Sequence, residues 1–303
     1  MHVISASRRT DIPAFHAEWF MRRVRSGGVA VVSPFGGGVR EVSLLPADVI
    51  AVVFWTKNAK PIQPYLVELG RLGYPFTFLY TINNYPPALE PRVPPATHSL
   101  QTIKDLCRRF AGPVIRWRYD TVVLTEVLDR AWHIRNFQYL CDLLAPYTAE
   151  CIFSFCDYYR KTVRNMDRLV PDYRRPDDAL CREMAEEMGE IARDRGITLA
   201  SCAHDFLVSK RVKKARCIDP EVLLQLVETQ QKRDAVQALR TAPTRKECGC
   251  AASRDIGAYD TCLHGCVYCY ANTDPDRAAR NFAQVSPDRH SLDPRFRAPV
   301  TET

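Results

Sequence analysis

The chain has 303 residues, 46% of them hydrophobic and 25% charged, with a formal net charge of +7. That is enough chain for one large α/β domain, or for one domain with a small appendage. The longest apolar runs, such as Val49 to Trp55, are too short to cross a bilayer, and the opening MHVISASRRT has none of the features of a signal peptide. A cytoplasmic protein with no membrane partner is expected, and the modest charge permits a phosphate-bearing or nucleic-acid partner without requiring one.

Short β-rich runs alternate with longer periodic stretches. The runs are Val3 to Ser7, Val29 to Ser33, Val49 to Trp55, Phe76 to Thr81, Val114 to Tyr119, Glu150 to Phe155 and Ile197 to Cys202. Helical periodicity marks Phe15 to Ser26, Pro61 to Leu72, Leu100 to Phe110, His133 to Leu144 and Asp177 to Arg195. Such alternation predicts βαβ units and a parallel sheet. Six or seven units predict a full or partial (β/α) barrel over residues 1–240, TIM-like, rather than an open Rossmann sheet. No Gly-x-Gly-x-x-Gly follows any strand. Val29 to Ser33 and Val39 to Leu44 flank Gly36-Gly37-Gly38, a hairpin with a flexible tip and no phosphate-loop lysine. One helix is expected from Pro220 to Arg240, then a cysteine-rich segment at 241–275 that packs on the barrel. Residues 276–303 read as a polar tail whose composition predicts disorder at the end.

In a parallel barrel the working residues gather at the C-terminal ends of the strands. Here those ends carry Arg8, Arg9 and Asp11; Lys57 and Asn58; Asn83 and Asn84; Arg118 and Asp120; Asp157; and Cys202 and His204. Each has an ordinary reading as a solvated charge, and Asp11 before Ile12-Pro13 also reads as a helix cap. Their recurrence predicts a shared polar pocket. Arg8, Arg9, Lys57 and Arg118 would hold a carboxylate or phosphate, with Asp11, Asp120 and Asp157 paired to them. Trp55, Tyr80, Tyr119 and Tyr158 alternate with these charges and serve either core packing or stacking on a base.

Five of the twelve cysteines fall between Cys248 and Cys269, whereas Cys107, Cys141, Cys151 and Cys181 sit in apolar surroundings as buried small hydrophobes. Residues 262 to 269 read Cys-Leu-His-Gly-Cys-Val-Tyr-Cys. A C-x3-C-x2-C loop of this kind can wrap three corners of a cuboidal 4Fe–4S cluster and leave the fourth iron open. Structural zinc needs four closed ligands, usually as separated CxxC pairs. Cys248 or Cys250 is a candidate further ligand, and binding by either would close the cluster.

The octet, continued as Tyr270-Ala271-Asn272, resembles the cluster loop of the radical S-adenosylmethionine (SAM) superfamily, whose lyase-like members carry a similar Tyr-Cys-Tyr-Ala. Asp255 to Thr261 resembles that superfamily's first strand and the loop after it. Nearly the whole chain resembles the uncharacterised family named domain of unknown function 1848. That likeness is carried by Ser7 to Pro13, Phe54 to Asn58, Arg118-Tyr119-Asp120, Ser154 to Asp157, Cys217-Ile218-Asp219 and the cysteine segment. In radical SAM enzymes the loop follows the first barrel strand, whereas here it follows the barrel. Either the barrel is circularly permuted, with Val3 to Ser7 beside the cluster strand, or the cluster belongs to an appended module.

The resemblance implies a radical SAM-like enzyme supplied by a donor such as ferredoxin or flavodoxin. Cys262, Cys266 and Cys269 would then be metal ligands, and Ser5, Ser7, Arg8 and Tyr268 cofactor-binding candidates. The competing readings are an iron–sulfur protein closed by Cys248 or Cys250, serving electron transfer or ligand binding, and a structural zinc module.

Overall fold

The computed structural model describes residues 1–36 and 38–297. Its strands are β1 (His2–Ala6), β2 (Gly28–Val32), β3 (Val39–Ser43), β4 (Val49–Thr56), β5 (Phe76–Thr81), β6 (Ile115–Val122), β7 (Glu150–Phe155), β8 (Thr198–Ser201), β9 (Val212–Lys214) and β10 (Ser253–Asp255). Eight of them form one parallel sheet in the order β10-β1-β4-β5-β6-β7-β8-β9. β2 and β3 pair apart from it as an antiparallel hairpin. Gly37, in the tip expected to be flexible, lies outside the described residues.

Each sheet strand reads as its position demands. β4 and β5 are buried along their whole length, which is why they appear as unbroken apolar runs. β6 alternates instead. Ile115, Trp117 and Tyr119 join the helix-side core, and Arg116, Arg118 and Asp120 point to the other face. The helices Ala17–Ser26, Ala96–Arg109, Arg130–Leu144 and Asp178–Arg193 contribute Phe20, Ile103, Phe137 and Met184 to the core that also holds Phe54, Phe78, Trp117 and Phe153. Trp117 stacks on Phe137 with ring centroids 5.3 Å apart.

The opposite face collects Val3, Val53, Trp55, Leu79, Ile152, Ala200 and Cys202. It is covered by the chain between β9 and β10, through Ala215, Ile218, Leu223, Val236, Cys250 and Ala251. Arg116 fastens this cover by donating to the Cys217 and Arg216 carbonyls at 2.8 and 2.9 Å while paired with Glu150.

A closed barrel is not formed. The sheet is open, because β9 and β10 stand at its two edges and the segment joining them packs across a face instead of supplying a pairing strand. The expected helix from Pro220 to Arg240 divides into Pro220–Leu226 and Gln230–Gln237. Val227 is extended, and the Thr229 side chain accepts from Lys232 N to start the second helix. The strand expected from Asp255 onward ends there. The segment read as a polar tail carries the helix Pro275–Phe282 and buries Ser291 and Leu292, while residues 298–303 lie outside the described residues. Among the described residues no helix is long and apolar enough to cross a membrane.

His133 lies fully buried between the Tyr119 hydroxyl, 2.7 Å from Nδ1, and the Val123 carbonyl, 2.9 Å from Nε2. Those partners suit a neutral ring that accepts at Nδ1 and donates at Nε2. Burial lowers its pKa from 6.5 to about 4, as it does for His16. Below pH 6.5 the unfolded chain takes up these protons and the folded chain does not. Stability to urea is therefore expected to fall from pH 6.5 to about 4, with a shallower slope in His133→Gln.

Candidate functional site at the strand ends

Because the eight strands are parallel, their C-terminal ends share one side of the sheet, and a cavity of about 1250 Å³ opens there. Its wall includes Ser7, Arg8, Trp55, Lys57, Thr81, Arg118, Asp120, Ser154, Asp157, Cys202 and Asp255. The volume exceeds the roughly 300–1,000 Å³ of ordinary small-molecule pockets. Cys262, Cys266, Tyr268 and Cys269 complete the wall from the loop after β10.

That loop is pinned from several sides. Gly265 adopts φ +72°, a conformation side chains resist. The Cys262 carbonyl accepts from Asn272 Nδ2 at 2.7 Å, and Val267 N donates to the Leu89 carbonyl at 3.0 Å. His264 is buried, with Nε2 2.7 Å from Asp11 Oδ2 and Nδ1 3.2 Å from the Arg92 carbonyl. Asp11 also accepts from Ala14 N, Thr56 Oγ1 and Lys57 N at 3.0, 2.8 and 2.7 Å. One carboxylate thus caps the helix Ile12–Phe15, ties it to the end of β4 and holds the cysteine loop. Asp11 was expected to pair with the arginines. It lies instead among backbone amides, a hydroxyl and an imidazole.

Asp255 organises the neighbouring strand ends. It accepts from Ser5 Oγ at 3.0 Å, Ser7 Oγ at 2.6 Å, Arg8 N at 2.8 Å and Arg9 Nε at 3.0 Å. Burial alone would raise its carboxyl pKa, but the Arg9 guanidinium, the Ser7 hydroxyl and the Arg8 amide hold it below the usual carboxylate value. Gly257 permits the approach, since a Cβ there would stand 2.1 Å from Ser7 Oγ. The Ser5 and Ser7 hydroxyls are therefore engaged in joining β10 to β1.

Beside the loop, Lys57 Nζ lies 2.7 Å from Glu90 Oε1 and 3.1 Å from the Tyr268 hydroxyl, which also bonds Glu90 and Asn83. Burial depresses the Lys57 ammonium, but Glu90 and the Cys266 sulfur outweigh it and hold the pKa above the usual lysine value. Tyr268 thus faces the cavity with its hydroxyl already spoken for. Further along, Arg8 and Arg118 both lie against the Trp55 ring, 4.7 and 4.8 Å from its centroid. Arg118 pairs with Asp120, and Arg245 with Asp157. Among the described residues, Arg8 Nη2, Trp55 Nε1 and Arg118 Nε are buried donors with no hydrogen-bond partner. Orphaned buried donors are costly, and three of them around one indole fit an anionic oxygen group.

Among the described residues no three histidine, cysteine, aspartate or glutamate side chains converge on one point as a single metal ion requires. A cuboidal cluster sets a different condition, because each thiolate binds a different iron and the sulfurs must surround a space. Cys262, Cys266 and Cys269 open on one cavity, and none is tied in a disulfide. Burial pushes all three thiols up in pKa, and the proximity of Cys269 raises the other two further. Buried sulfurs of this kind need a cationic centre before they can ionise.

The cavity wall brings together Arg8, Lys57, Arg118, Asp120 and Asp157, as the strand-end pattern led us to expect. Cys248 and Cys250 lie beside Cys202 and Cys217 rather than among the loop thiols. Tyr80 and Tyr119 are core residues. Glu90 and Asp255 were not singled out from sequence. The one signal for Asp255 was its position at the head of the segment that resembles a cluster strand.

The match to the family described as Domain of unknown function (DUF1848) spans residues 3–271, and the chain belongs to that family. No curated protein and no solved structure matches the chain.

Asp255→Ala would leave the Arg9 charge buried and the Ser5, Ser7, Arg8 N and Gly257 N donors without their acceptor. It is expected to cost about 3–5 kcal/mol in urea unfolding. Asp255→Asn, which keeps an acceptor, should cost less.

Proposed function

We propose that this member of the DUF1848 family is a radical SAM-like enzyme, acting on a small substrate that carries a phosphate or carboxylate. The observation that carries the reading is the juxtaposition of three free thiols, in a C-x3-C-x2-C loop, with unpartnered cationic donors across a cavity large enough for cofactor and substrate together. Cys262, Cys266 and Cys269 would each hold one iron, leaving one iron free of protein. The chemistry supplied there would be one-electron reduction of SAM, with the electron drawn from a donor such as ferredoxin or flavodoxin, giving methionine and a 5′-deoxyadenosyl radical able to take hydrogen from the substrate.

The chain's own residues would bind, orient and shield. Position along the sheet supports the permuted arrangement, since β10 precedes the loop and pairs in parallel with β1. In this reading the sheet is an incomplete barrel that runs from the cluster strand through β1 to β9. Arg8, just past the end of β1, is the cofactor-binding candidate left free to bind SAM, since its Nη2 has no partner among the described residues. Ser5 and Ser7 act indirectly, by fixing Asp255 and with it the turn that carries Arg8 and Arg9. Lys57 stands as a buried cation near Cys266 and offsets negative charge on the thiolates. Arg118, braced by Asp120 against Trp55, would take the anionic group of the substrate.

Anaerobic reconstitution with iron and sulfide is expected to give brown protein. After dithionite reduction, that protein should convert SAM to 5′-deoxyadenosine, detected by chromatography. Protein with a full complement of iron that leaves SAM intact would end the radical reading. Arg8→Ala is expected to weaken SAM binding about 10- to 100-fold by equilibrium dialysis, the loss of one hydrogen bond to a charged group.

A further inference from the structure

A second group of thiols lines the same cavity. Cys202 follows β8, Cys217 follows β9, and Cys248 and Cys250 form a Cys-x-Cys turn shortly before β10. All four are buried and free of disulfides. Cys202 and Cys217 Sγ lie 3.8 Å apart, and Cys248 and Cys250 pack beside them in the same buried cluster.

Backbone bonds bring the three chain segments together. Ala215 N donates to the Ser201 carbonyl at 2.9 Å, Ala251 N to Ile218 at 3.0 Å, and Cys248 N to Arg245 at 3.1 Å. Cys141, Cys151 and Cys181 show the contrasting case: they are scattered in the helix-side core, as single small hydrophobes would be. The group at the cavity has charged company. Arg245 Nη2 points at Cys202 Sγ from 3.4 Å, and Arg118, with its buried unpartnered Nε, also lines this part of the wall. A guanidinium donor aimed at the Cys202 sulfur suits a thiolate there, and four clustered thiols ionise together only with a metal to neutralise them.

We propose that Cys202, Cys217, Cys248 and Cys250 ligate a second metal centre, an iron–sulfur cluster held by four thiolates and facing the same cavity as the Cys262 loop. Four protein ligands leave no iron open, so this centre cannot chelate SAM and is suited to one-electron transfer. Zinc would draw the sulfurs onto one point, and among the described residues no three of them converge in that way. The proposal does not depend on the radical reading of the loop.

The test is the triple variant Cys262→Ala, Cys266→Ala, Cys269→Ala, reconstituted anaerobically with ferrous iron and sulfide beside the wild type. The variant is expected to keep about half the wild-type iron, sulfide and visible absorbance, and to lose the remainder when Cys217→Ala is added. A folded triple variant that takes up no iron, that holds zinc instead, or whose mass shows a Cys202–Cys217 disulfide overturns the proposal. If the triple variant does not fold, the wild-type iron content decides, with about eight irons per chain for two clusters and about four for one. Failure of the loop reading looks different, because wild type and triple variant would then hold equal iron.

Discussion

One buried carboxylate, Asp255, joins the two ends of the chain. Its two oxygens take donors from Ser5, Ser7, Arg8 and Arg9. A three-residue strand such as β10 gains little from its own backbone ladder, and the Asp255 bonds supply what the ladder lacks. Taking a carboxylate out of water costs several kcal/mol, which these bonds offset only while all are present. The interaction is therefore specific as well as stabilising: it fixes the register of β10 on β1 and hence the place where the cysteine loop begins. Asp11 repeats the device one strand further on, linking the end of β4 to His264 in the loop.

Around these two anchors the charges are arranged by sign. Lysine and arginine side chains stand next to sulfur, with Lys57 by the loop thiols and Arg118 and Arg245 by the Cys202 group. The acids lie one step behind. Glu90 braces Lys57, Asp120 braces Arg118 and Asp157 braces Arg245. Such pairing keeps the cations fixed without cancelling their field toward the cavity. The orphaned donors around Trp55 belong to the same cationic wall, with Arg8 and Arg118 both lying against the ring.

Much of this is legible in the amino-acid sequence. β4 and β5 announced themselves because strands buried on both faces have no polar interruption. Arg8, Lys57, Arg118 and Asp157 could be placed at one mouth because parallel strands put their ends on one side. The edge strands were not legible: Val-Lys-Lys and Ser-Arg-Asp are too short and too polar to carry periodicity. The helix Arg160–Leu169 was hidden by its polar composition. Barrel closure has no local signature at all, so the sequence left a full and a partial barrel equally open. Glu90 lay in a proline-rich loop with nothing to mark it, and the contact between Cys202 and Cys217 spans neighbouring strands that only the fold brings together.

The position of β10 has a consequence for biosynthesis. A nascent chain leaves the ribosome from its N-terminus, so the strands up to β9 can collapse while residues 253–269 are still being made. During that interval β1 has one bare hydrogen-bonding edge, and the loop thiols do not yet exist beside the cavity. The pocket is thus largely walled before the loop thiols join it, and the last of the described strands to be synthesised is the one that delivers them.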